Sequence, residues 1–196
     1  TILSFISNRS GSSARFGNQI YIESIEEFYD IIQNPTPYNM NVVQISIEIQ
    51  PFGPNKKRLI IPPKIGEFKN IKTISLMGLD VREIPPEIGE LKNLKSFKIL
   101  DCNLNSIPPE IGDLSQLQRL DVGHNNLTYL PKEIGNLINL TSLQIEDNEI
   151  TSLPKEIANL KNLNLFTFTG NPIVVDLKLW QYFARNAPAK TFKKIG

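Results

Sequence analysis

The chain has 196 residues, 40% of them hydrophobic and 21% charged, with a net charge of +1. Its lysines and acids are intermixed instead of gathered into a basic stripe, which argues against a nucleic-acid binder, and no run of 18 apolar residues exists to cross a membrane. The one cysteine, Cys102, rules out an internal disulfide.

Residues 1 to 19 carry weak patterning, and Ile20-Tyr-Ile22 is expected to add an edge strand. Ser24-Ile-Glu-Glu27 has capping-box spacing, and Ile25, Phe28 and Ile32 fall on one face, so a helix is expected from Ser24 to Gln33. Asn34-Pro35-Thr36-Pro37 stops it. Val42, Ile45 and Ile47 read as a strand with one buried face. About six extra residues around 51–58, basic and bounded by prolines, precede Ile61-Pro62-Pro63-Lys-Ile65-Gly66. That insertion is a candidate contact loop, with a tolerated insertion as the plainer reading.

From there the chain repeats one sentence. IPPEIGELKNL, IPPEIGDLSQL, LPKEIGNLINL and LPKEIANLKNL begin at Ile84, Ile107, Leu130 and Leu153, each 23 residues after the last. A fixed period of this length predicts coils stacked on one another, about six here, the first irregular and the last terminal. Within a coil, the alternating stretch exemplified by Leu120-Asp121-Val122 predicts a short strand. Neighbouring strands then pair in parallel about 4.8 Å apart. Asn125, Asn148 and Asn171 recur just after the strand, where an amide can satisfy turning backbone. Cys102 takes that place one coil earlier, which marks it as packing and not as a nucleophile. Leu79 takes it in the coil before, so the ladder is expected to fail at that end. Proline then opens the convex segment as a short helical turn, Glu87, Glu110, Glu133 and Glu156 sit in that turn, and Gly89, Gly112, Gly135 and Ala158 keep it thin. A helix over about 175–185, bearing Leu177, Trp180 and Ala184, is expected to cover the last coil, ahead of the basic tail Lys190 to Lys194.

This pattern resembles the leucine-rich-repeat family, in its 23-residue class with Leu-Pro-x-Glu-Ile-Gly-x-Leu-x-Asn on the convex side. That class is similar to plant intracellular Ras-group-related and bacterial repeat proteins. The resemblance implies an α/β solenoid, a right-handed horseshoe with a parallel concave sheet that binds other proteins, without enzymatic activity. The expected division is 1–41 as N-terminal segment and capping helix, 42–173 as repeats, and 174–196 as C-terminal capping helix and tail.

Side chains between the inward leucines should form readable columns: Gln44, Thr73, Ser96, Arg119, Ser142, Leu165; then Ser46, Ser75, Lys98, Asp121, Gln144, Thr167; then Glu48, Met77, Leu100, Gly123, Glu146, Thr169. Met77 and Leu100 are adjacent apolar letters on a polar surface. Lys98, Arg119, Asp121 and His124 add mixed charge beside them. These six residues are the candidate protein-binding patch, against the plain reading of solvated variable positions. Asp101, Asp121, Glu146 and Asp147 would suit a hard cation only if they converged in a cage, so no metal or cofactor is expected. Cys102 and His124 are not placed to act as a pair, and no enzyme is expected.

The expected partner is another protein, with no nucleic acid, no membrane insertion and a monomeric chain. A recognition segment of a larger signalling or effector protein is the alternative. Carbohydrate or surface adhesion comes last, because no concave column holds an aromatic residue. Without cysteine-rich caps, an intracellular place, or a secreted or surface one in a bacterium, is expected. The sequence starts at Thr1 with no leader, so a native start is expected to be missing.

Overall fold

The computed structural model describes residues 15–16, 19–37, 40–49 and 55–174. One sheet organises them. Strands β1 (Arg15–Phe16), β2 (Gln19–Ile22), β3 (Val42–Glu48), β4 (Thr73–Met77), β5 (Ser96–Leu100), β6 (Arg119–Asp121), β7 (Ser142–Gln144) and β8 (Leu165–Thr167) lie in chain order. β1 runs antiparallel to β2, and every later neighbour pairs in parallel. Ile20–Ile22 is therefore in a strand, but β1 flanks it on the outside, so it is not the edge. Strands β3 to β8 each head one coil, numbered one to six here.

Alternation fixes which side chains go inward. In β5 the burial runs intermediate, buried, intermediate, buried, intermediate, so Phe97 and Ile99 enter the core while Ser96, Lys98 and Leu100 face the other way. The same inward columns supply Ile74 and Leu76, Leu120 and Val122, Leu143 and Ile145, then Phe166 and Phe168. They form one continuous cluster with the convex isoleucines Ile65, Ile88, Ile111, Ile134 and Ile157. Each fully buried side chain of this size contributes roughly 1.5–3 kcal/mol relative to exposure, which is what a thin coil sets against its chain entropy.

The convex segments are five-residue 3-10 turns: Pro63–Glu67, Pro86–Glu90, Pro109–Asp113, Lys132–Asn136 and Lys155–Asn159. Each closes with a main-chain N–H donating back to the buried isoleucine, as Leu91 does to Ile88 at 3.1 Å. The tight i→i+3 pattern suits a coil that has one turn in which to reverse. Glycine is required there by contact and not by dihedral freedom. A Cβ on Gly66, Gly89, Gly112 or Gly135 would stand 3.0, 2.8, 2.6 or 2.5 Å from the carbonyl oxygen of the glutamate one coil on. Ala158 occurs in the last such turn among the described residues.

Behind the strands, the amides of Asn125, Asn148 and Asn171 form the ladder. Asn148 Oδ1 accepts from Leu127 N at 2.9 Å, and its Nδ2 donates to the carbonyls of Val122, Ile145 and Glu146 at 3.0–3.1 Å. Asn125 repeats this one coil earlier, with Cys102 N and Leu104 N as its donors. Cys102 Sγ donates to Leu100 O at 3.1 Å and Leu76 O at 3.5 Å, but offers no amide oxygen. Val81 N, which would use that oxygen, instead donates to the main-chain carbonyl of Cys102 at 2.7 Å. A second, more exposed amide column stands where each convex segment turns back to the sheet. Asn93, Asn139 and Asn162 each donate to a carbonyl of the preceding coil, at 2.8–2.9 Å, and Gln116 occupies the corresponding place between them.

Helix α1 (Ile25–Gln33) precedes the first coil, its Phe28 and Ile32 buried in the same core. Ser24 Oγ accepts from Glu27 N at 3.1 Å, completing one half of a capping box, while the Glu27 carboxylate reaches Glu23 N. Tyr29 accepts from Ile60 N and Gln33 O from Lys64 Nζ, tying the helix to the first coil. The helix expected over 175–185, with Trp180, and the first part of the insertion, 50–54, lie outside the described residues.

Candidate interaction surface

The face opposite the core carries the variable letters in register. Ser75 pairs with Lys98, Lys98 with Asp121 and Asp121 with Gln144, so the expected columns are real neighbours across the sheet. Met77 pairs with Leu100 in the same way. Both are half-buried and not freely exposed. Leu100 lies over the bare backbone of Gly123, where an added Cβ would stand 3.3 Å from Leu100 Cδ1. Arg119 is exposed, and its guanidinium makes no hydrogen bond or ion pair among the described residues.

Lys98 Nζ lies 4.0 Å from Asp121 Oδ2. Asp121 Oδ1 also accepts from Gly123 N at 3.2 Å. Burial holds the Asp121 carboxyl above its ordinary range, with the Glu146 charge pushing the same way against the pull of the Gly123 N–H and Lys98.

One residue beyond the last column, Gly78, Asp101, His124, Asp147 and Gly170 all have positive φ, between 48° and 73°. This position turns coils two to six off the sheet in the left-handed region, which glycine enters freely and Asp or His tolerate. Asp101, His124 and Asp147 are thus turn residues as well as surface ones, a backbone constraint not expected from their side chains. The signal was present, since glycine at 78 and 170 shares their 23-residue spacing.

The four acids weighed as a cation cage do not converge. Asp101 accepts from Lys56 Nζ at 2.7 Å, Asp147 Oδ2 lies 3.3 Å from His124 Nδ1, and Asp121 faces Lys98. No cluster of three or more metal-ligating side chains occurs among the described residues. Cys102 and His124 do not meet either. The thiol is buried under the sheet, where desolvation pushes it up to about 11, and His124 stands exposed at the rim.

The insertion after β3 is fastened along this rim. Lys56 also reaches Asn103 Oδ1 at 3.2 Å, Asn103 Nδ2 donates to Asp80 at 3.0 Å, and Arg58 and Arg82 both engage Asp80. Asp80 N donates to Lys57 O, and Leu59 N to Asp80 O. Residues 56–59 are thereby pinned across coils two and three at Asp80, Asp101 and Asn103.

A profile described as leucine rich repeat matches residues 92–150 and 115–173. Among solved structures, internalin C2 of Listeria monocytogenes is 21% identical with a TM-score of 0.62, over 87% of this chain and 78% of that one. A leucine-rich-repeat protein of Leptospira interrogans is 24% identical with a TM-score of 0.54, over 80% of this chain and 44% of its own. A plant peptide hormone receptor, RGFR1 in complex with RGF2, is 24% identical with a TM-score of 0.54, over 69% of this chain and 30% of the receptor. No curated protein matches at a significant level by sequence. Residues 92–173 thus carry the leucine-rich-repeat family's pattern, and the fold is that of a leucine-rich-repeat solenoid. That fold is commonly a protein-interaction scaffold. Among the described residues, no helix is long and apolar enough to cross a membrane.

Proposed function

We propose that this chain is a non-catalytic, monomeric scaffold that recognises another protein through its concave sheet, centred on Met77, Lys98, Leu100, Arg119, Asp121 and His124. The observation that carries this reading is the in-register pair Met77 and Leu100, partly exposed among polar neighbours on adjacent strands and bordered by Arg119, whose guanidinium makes no hydrogen bond or ion pair among the described residues. Apolar neighbours ringed by polar groups are the usual anatomy of a recognition patch. The division into 1–41, 42–173 and 174–196 belongs to the same proposal: ends that close the stack and a middle that reads the partner. In the related receptor structure the bound molecule is RGF2, which supports a polypeptide as the partner class.

The alternative is a recognition segment within a longer signalling or effector protein. It is favoured by the chain's spanning only 44% and 30% of two of its structural relatives.

Affinity capture from the native lysate tests the first reading. The wild-type chain, the double variant Leu100→Glu/Arg119→Glu and the convex control Lys161→Glu would be compared by mass spectrometry. Proteins held by wild type and control but lost from the double variant are the expected result. Retention of every captured protein by the double variant would remove the concave assignment.

A further inference from the structure

Coils two and three carry like charges where their strands begin. Lys72 and Lys95 occupy the same place one coil apart, and Lys95 N donates to Lys72 O at 2.8 Å. Arg119 N donates in turn to Lys95 O at 3.1 Å, which sets a third cation beside the second. All three residues are exposed, and none of their side chains makes a hydrogen bond or ion pair among the described residues. Neighbouring cations differ. Lys69 holds Glu90 at 2.9 Å, Lys92 lies 3.8 Å from Asp113, and Lys98 lies 4.0 Å from Asp121. Like charges placed side by side on a sheet are mildly destabilising, and no carboxylate among the described residues pairs with these three.

The same two coils carry the apolar pair. Lys72 and Met77 belong to coil two, Lys95 and Leu100 to coil three. Between the cations and the apolar pair the sheet presents the short side chains of Thr73, Ser75 and Ser96, with Lys98 as the one long side chain. Leu100 lies five positions after Lys95, roughly 16 Å at about 3.3 Å per residue. At the opposite ends of the strands stand carboxylates, those of Glu48, Glu146 and Asp147. The surface is therefore basic at the strand beginnings and acidic at the strand ends, which favours one direction for a charged partner.

We infer that Lys72, Lys95 and Arg119 receive an acidic segment of the partner polypeptide, its Asp or Glu carboxylates at the strand beginnings and an apolar side chain of the same segment over Met77 and Leu100. This rests on the concave reading above and adds the partner's charge. A polypeptide is favoured over a phosphate polymer for two reasons. The apolar pair needs an apolar mate, and the carboxylates at the strand ends repel a chain that is negative along its whole length.

The probe is a phage-displayed library of random twelve-residue peptides, selected on the full chain at low salt. Selected peptides are then synthesised and titrated against wild type, Leu100→Ala and the double variant Lys72→Glu/Lys95→Glu. Neither lysine side chain is bonded within the fold, so the double variant should melt at the wild-type temperature. The expected result is a shared Asp or Glu in the peptides that lose affinity with Leu100→Ala. The double reversal should weaken those peptides roughly tenfold at low salt and less at high salt. Replacing the shared acid by lysine should weaken binding to wild type and restore binding to the double variant, a rescue that a merely structural role of the two lysines would not give. Peptides that depend on Leu100 but are indifferent to the double reversal would overturn the acidic-segment assignment and leave the concave reading standing. Failure to select any peptide sensitive to Leu100→Ala would overturn both. Random single-stranded DNA bound by wild type and lost from the double variant, with no acidic peptide selected, would mark the cations as a phosphate-polymer site and overturn the assignment.

Discussion

Coils four to six and coils one to three solve the same backbone problem with different chemistry. In the later coils an amide follows every strand, buried at Asn125 and Asn148 and part-buried at Asn171, and each such side chain serves two coils at once. In the earlier coils that place holds Leu79 and Cys102. There, main chain bonds main chain from Val81 to Cys102, and an ionic net on Asp80, tied to the inserted loop, holds the rim. A buried amide ladder needs strict spacing and repeats cheaply, whereas a charged rim tolerates an insertion. The irregular coil with its extra residues sits where the ladder is missing.

The sharpest way to break this contrast is to remove one rung. Asn148→Ala strands the buried Leu127 N and removes one of the two donors at each of the carbonyls of Val122, Ile145 and Glu146, and should cost about 2–3 kcal/mol of stability. Cys102→Ala removes only thiol contacts and should cost about 1–1.5 kcal/mol. Urea unfolding with an unchanged slope measures both. Equal costs would mean that the amide is not what distinguishes the two halves.

The convex side offers a graded version of the same test. Gly135→Ala places a Cβ 2.5 Å from Glu156 O, so coils must part, at about 1–3 kcal/mol. Gly66→Ala, with 3.0 Å to Glu87 O, should cost less. Thermal melts should rank the variants at 135, 112, 89 and 66 from most to least damaging. A flat series would show that the coils slide apart without resistance.

The 23-residue period made most of this legible. It gave the strand positions, the inward leucines and the registers that set Lys98 beside Asp121 and Asp121 beside Gln144. What it hid was anything that depends on non-repeating residues. Lys56 meets Asp101 across 45 positions, from an insertion that obeys no period, so no spacing rule pairs them. The half-burial of Leu100 follows from the missing side chain at Gly123, a contact between coils invisible in either coil alone. The left-handed rim was periodic and readable, but only by setting Gly78 and Gly170 in one column with Asp101, His124 and Asp147. Sequence repetition reports what each coil shares, and the candidate patch is built from what the coils do not share.

The smallest effect is the one that addresses the charged half by itself. The Asp80 carboxylate accepts from Asn103 and from Arg82 and Arg58, and these bonds hold it below the ordinary carboxylate value, against the opposing effect of burial. A carboxylate whose folded value is depressed stabilises the fold fully above its unfolded value, near 3.8. That contribution is lost as pH falls through the lower folded value. Asp80→Asn keeps the shape but cannot titrate, so its stability should change less than that of wild type as pH falls below about 4. Above pH 5 the variant should be the weaker of the two, because Arg58 and Arg82 lose their counter-charge. Hydrogen exchange should place the loss in residues 56–59 and coil two, leaving the amides bonded to Asn148 and Asn171 protected. If acid loosens the amide ladder equally, the two halves unfold as one unit and the ionic rim has no separate part in holding the insertion.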